Sequence, residues 1–187
     1  MGDPKLFMIL LGATVPGRFT EQHDIFFGIA SHINELVPEI KNSWPGAKVH
    51  IDAWRTVTQV NDFQITVVPG TDTPPTGFGL FFINLGGYKK NEFDEFHYKV
   101  LSVATDKGAA IRESKQTSFY KHVGFESATS HIDDKYGVDV DDIYEIADIL
   151  SPVFKSKFSL RIIPRPGEDD TVHLGYFKLD KLEAITF

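Results

Sequence analysis

Leu6-Phe7-Met8-Ile9-Leu10-Leu11-Gly12 and Leu80-Phe81-Phe82-Ile83-Asn84-Leu85-Gly86 are the two stretches that decide the fold. Each is apolar at nearly every position, the pattern of a central strand buried on both faces. They stand 74 residues apart, and the likeness continues beyond them. Between Leu6–Ala30 and Leu80–Ala104, nine of 25 positions are identical, including Gly12/Gly86, Phe19/Phe93, Glu21/Glu95 and His23/His97. Chance at ordinary residue frequencies would give about one or two. At an offset of 81, His50-Ile51-Asp52 meets His131-Ile132-Asp133, and at 95, Phe63–Pro69 meets Phe158–Pro164. The growing offset places insertions in the second copy. Two copies predict a pseudo-two-fold fusion, because solenoids need three or more repeats.

Working outward, Pro16-Gly17 turns the chain and Glu21–Ala30 follows as the second strand of a hairpin, its odd positions Ile25, Phe27 and Ile29 apolar. Ser31, and Thr105 in the second copy, are suited to cap a helix. Ile33, Leu36, Val37, Ile40 and Trp44 share one helical face. Pro38 requires a kink or a late start, and Pro45-Gly46 ends the helix. Lys48–Thr56 and Phe63–Val67 are two more strands. The second copy predicts a hairpin of Gly79–Leu85 and Glu95–Ala104 and a helix over Asp106–Gln116. The spacing of Ile143, Ile146, Ala147 and Leu150 predicts an inserted helix. Phe158–Ile163 closes that copy, and Val172–Leu179 adds an edge strand. The expected class is α+β: duplicated β-β-α-β-β units, mixed or antiparallel sheets with helices on one face, and pseudo-two-fold symmetry. The first copy is expected over 1–69, a linker over 70–78, and the second copy over 79–187.

Composition narrows the function. Hydrophobic residues make up 42% and aromatics 13%, enough for a core. Nineteen Lys and Arg against 26 Asp and Glu, a net charge of −7, argue against nucleic acid and anionic membranes as partners. There is no cysteine, which excludes disulfides, zinc–thiolate sites and thiol nucleophiles. The apolar run Leu6–Leu11 is too short for a signal sequence or a bilayer span. A cytoplasmic protein is the expectation.

Leu-Phe-Met-Ile-Leu-Leu-Gly, then Glu21-Gln22-His23-Asp24, then His50-Ile51-Asp52-Ala53-Trp54, in that order, resemble the bacterial and archaeal domain of unknown function family 1543. The resemblance covers about residues 6–68. The second copy departs after Ala104, with Asp134 and Lys135 in place of Ala53 and Trp54. The resemblance implies a short unit used singly or in tandem, and it implies no activity.

The polar residues kept in both copies are Glu21, His23, His50 and Asp52, and Glu95, His97, His131 and Asp133. Residues i and i+2 of a strand share a face, so Glu21 goes with His23 and His50 with Asp52. Were the helix to join two adjacent parallel strands, Glu21 would lie opposite His50, and His23 opposite Asp52. A hairpin strand between them would separate the pairs. Imidazole with carboxylate suits a divalent metal or general acid–base work. It also suits a buried, fully hydrogen-bonded network, which is the favoured explanation. The acidic stretch His131–Asp148 could attract hard cations; capping of the predicted helix by Asp139, Asp141 and Asp142 explains it better. Gly12–Arg18 lacks the Gly-Lys-Ser/Thr ending of a phosphate loop. The expected function is a non-catalytic binding or interaction module, more a binder than an enzyme. The alternative is a small-ligand or divalent-metal-binding protein, and after it a metal-assisted hydrolase. No cofactor is required other than that metal. A small molecule, a protein or a second copy of the chain are the partners left open.

Overall fold

The computed structural model describes residues 2–70, 76–88, 91–114, 116 and 138–184. They form a mixed α+β protein of antiparallel sheets and few helices. The chain divides into two units, residues 1–74 with 150–187, and residues 75–149.

The first unit starts with β1 (Lys5–Thr14) and β2 (Gln22–Ala30), paired as a hairpin. A 3-10 turn over Ile33–Leu36 leads into α1 (Val37–Ser43). Pro38 sits in the first turn of α1, where its missing N–H costs nothing, so the proline marks a late start and not a kink. Ser31 does not cap the helix: its backbone N–H donates to Glu35 and its hydroxyl to the Gly2 carbonyl. β3 (Lys48–Thr56) returns antiparallel to β1 on the side away from β2. β4 (Gln59–Val60) and β5 (Phe63–Pro69) turn away into a second sheet. The apolar parity of β1 is visible in burial: Phe7, Ile9 and Leu11 are buried, as are their cross-strand neighbours Phe26, Ile51 and Trp54.

The second unit holds β6 (Gly79–Tyr88), β7 (Glu95–Ala104), α2 (Lys107–Ser114), β8 (Val138–Glu145) and the single turn α3 (Ile146–Ile149). Asp106, and not Thr105, caps α2: its carboxylate accepts the Ala109 N–H at 2.8 Å. That bond first of all holds the Asp106 carboxyl below the usual range. The sheet order is β7-β6-β8. Phe81, Ile83, Leu85, Ala104 and Ala110 form its core, with Val140 and Ile143 packed against them.

Two expectations are corrected. First, the acidic stretch is not a helix cap. Asp139, Asp141 and Asp142 lie on β8, and the inserted helix shrinks to Ile146–Ile149. A bulge opposite Asn84 and Leu85 lets Val140 and Ile143, three apart, serve one face of a strand. Ile51 and Trp54 do the same across the bulge opposite Leu10 and Leu11. Second, the residues after Leu150 leave the second unit. α4 (Pro152–Lys155) leads to β9 (Phe158–Pro164), which pairs with β5. β10 (His173–Lys178) is indeed an edge strand, but it extends the first sheet, whose order is β10-β3-β1-β2. The first unit is therefore discontinuous in sequence. A 3-10 segment, Leu179–Ala184, follows β10.

Asp170 fixes the approach to β10. Its carboxylate accepts the Thr58 N–H and hydroxyl, both at 2.6 Å, the Gln59 N–H at 3.0 Å and the Thr56 hydroxyl at 3.2 Å. Nearby Arg55 is lowered by burial and raised by Asp170 and Asp169.

Candidate functional site

β1 lies between β2 and β3, the arrangement expected to keep the acid–imidazole pairs apart. It does not, because of one glycine. Gly12 is opposite His23 on one side and His50 on the other. The outer strands are about 9–10 Å apart, two strand spacings. Side chains from both reach across the bare glycine backbone. A Cβ on Gly12 would meet His50 Nε2 inside hard contact and Asp52 Oδ2 at 2.5 Å. Asp52 is the extra residue of the β3 bulge, with no partner on β1; bulges often re-aim a side chain in this way.

The four side chains close into a ring. Asp52 places Oδ1 at 3.0 Å from His50 Nε2 and Oδ2 at 3.2 Å from His23 Nε2. Glu21 places Oε1 at 3.3 Å from His50 Nε2 and Oε2 at 3.8 Å from His23 Nε2. Each carboxylate thus spans both imidazoles. Half of the ring is fixed and half is open: the His50 side chain is 5% exposed and Asp52 24%, whereas Glu21 and His23 are 42% and 45%. The ring is not a satisfied network. His50 Nε2 and Asp52 Oδ2 are buried and make no hydrogen bond of acceptable geometry. The short distances bring imidazole near carboxylate, with the N–H or lone-pair directions out of line. Among the described residues, no group of three or more His, Asp or Glu side chains, these four included, is placed to hold a metal ion as it stands.

In the second unit, Glu95 and His97 are 4.0 Å apart, and His97 is opposite Gly86. His131 and Asp133 lie outside the described residues. The place opposite Gly86, held opposite Gly12 by His50, is held by Asp139.

Two contributors escaped the sequence reading. Gly12 was visible as an identity with Gly86, yet its role depends on cross-strand register. Tyr176 covers His50 with ring centroids 4.2 Å apart, and nothing local in the sequence joins positions 50 and 176.

Residues 18–67 match the family model of a domain of unknown function, DUF1543. The DUF1543 span contains Glu21, His23, His50 and Asp52, so the four ring members fall inside it and the resemblance read from those motifs holds there. No curated protein matches the chain. Among solved structures, it is similar to the crystal structure of a protein Il1583 from Idiomarina loihiensis, at 20% identity and a TM-score of 0.61, over 95% of this chain and 98% of that one. The likeness shows a shared fold. No helix among the described residues is long and apolar enough to cross a membrane.

Proposed function

We propose that this protein is a binding protein whose site is the ring of Glu21, His23, His50 and Asp52, and that the ring takes one divalent first-row transition ion. The observation that carries this reading is the pair of buried, unsatisfied atoms, His50 Nε2 and Asp52 Oδ2. A network kept for stability alone would satisfy them, since leaving one such group unpaired costs about 1–3 kcal/mol. An ion bonded to both would remove that cost. The N···O separations come near those an ion requires, although the donors as they stand do not hold one. Ligand bonds of about 2.0–2.1 Å imply tetrahedral donor separations of about 3.3–3.4 Å, and the four N···O distances run from 3.0 to 3.8 Å. For an ion to enter, the exposed Glu21 and His23 would have to turn away from the buried His50 and the half-buried Asp52. Imidazole and carboxylate donors together suit zinc, iron(II) or manganese.

The internal duplication belongs to the same proposal. Leu6↔Ile29 and Leu80↔Val103 are the same register 74 residues apart, and both central strands face a bulge of the neighbouring strand at the same place. Two glycine-centred sheets from one ancestral unit account for this. A cytoplasmic, bacterial setting and a small molecule or protein as partner remain part of the reading.

The test is a calorimetric titration of zinc, and separately manganese, into chelator-stripped protein. One equivalent binds to the wild type, and both His23→Ala and Glu21→Gln weaken binding at least about tenfold, or 1.4 kcal/mol. Metal at about one hundred times Kd raises stability by about 2.7 kcal/mol. Absence of heat and of any melting shift with either metal would overturn the reading.

A further inference from the structure

His50 borders a second feature, a cleft of about 570 Å³ between the end of α1 and the β3–β10 edge. Lys41, Lys48 and Lys178 line it, against a single carboxylate, Asp180. The whole chain carries a net charge of −7, so three ammonium groups around one concavity run against the general balance. Among the described residues none of the three has an ion-pair partner. A concave wall focuses such a field and raises the local concentration of anions. Two aromatic side chains line the cleft as well, Trp44 and Tyr176, the latter 62% exposed.

We propose that this cleft binds a small organic anion, a phosphate or carboxylate attached to a planar ring. The lysines meet the charge and the two aromatic rings flank the flat body. A volume of this size falls within the range of small-ligand pockets, about 300–1,000 Å³. The site does not need the metal, although a ligand seated there lies beside the His50 imidazole.

The chain has two tryptophans. Trp44 lines the cleft, whereas Trp54 is buried in the first sheet. Phenyl phosphate, benzoate and inorganic phosphate are titrated separately into the full chain, with chelator present, and followed by tryptophan fluorescence. Phenyl phosphate or benzoate gives a saturable change with Kd below about 1 mM, and whichever binds tighter identifies the charged group. The change disappears in Trp44→Phe. Lys41→Ala and Lys178→Ala, both at exposed positions, each weaken binding about fivefold or more at low salt, with circular dichroism unchanged. No saturable change up to about 10 mM of either aromatic anion, or a Kd indifferent to both lysine substitutions, overturns the proposal. So does inorganic phosphate binding as tightly as phenyl phosphate. Because chelator is present throughout, failure here leaves the metal reading to its own titration.

Discussion

Replacing Gly12 by alanine adds one methyl group at the point where three strands bring four polar side chains together. The Gly12 φ is not in the left-handed region, so alanine meets no backbone strain there. In a strand it would otherwise gain about 0.5–1 kcal/mol over glycine. The obstacle is space. The new Cβ would stand 2.5 Å from Asp52 Oδ2, 2.9 Å from His50 Cε1 and closer still to His50 Nε2. His50 cannot swing away freely, because it is buried under Tyr176. Overpacking of this kind costs about 1–3 kcal/mol. A net loss of about 1–2 kcal/mol follows, a fall in Tm of about 2–8 °C for a chain of this length. Differential scanning calorimetry reads the first effect and zinc titration the second, since the displaced imidazole no longer meets Asp52. Gly2→Ala is the control, with its nearest neighbour at 3.9 Å. If Gly12→Ala melts like the wild type and binds zinc equally well, the glycine window is not what assembles the ring.

Asp170→Ala removes the acceptor of two backbone N–H groups and two hydroxyls; urea unfolding should show a loss of about 2–4 kcal/mol, and hydrogen exchange should rise along β10. Asp106→Ala should destabilise α2. The folded-state carboxyl of Asp106 is held low by the Ala109 N–H. Its contribution is therefore present above the unfolded value, near 3.9, and disappears as pH falls through the folded one. Melting curves of wild type and variant should differ at neutral pH and converge in acid. Phe19→Ser and Phe93→Ser, at fully exposed positions, should each change stability by less than about 0.5 kcal/mol in the same melts.

Much of the first unit was legible because its signals are local. The double-parity apolar run marked β1, Pro16-Gly17 marked the first hairpin and alternation marked β5, while β9 was marked by its likeness to Phe63–Pro69. The β8 bulge was not legible, since the residue left without a partner opposite Asn84 and Leu85 is a matter of cross-strand register. The return of β10 to β3 also depends on distant partners: His173 stacks on Trp54 at 4.0 Å across more than a hundred residues. The site was half legible. Its members stood out as shared residues, and their face was set by spacing. That they meet across an intervening strand depended on Gly12 having no side chain, a fact of register and not of residue type.

The most direct test of the metal site is X-ray absorption on the zinc-loaded chain. The account predicts four nitrogen and oxygen donors at about 2.0–2.1 Å with the multiple-scattering signature of two imidazoles, reduced to one in His23→Ala. A shell of oxygen alone, or two imidazoles retained in His23→Ala, would contradict it.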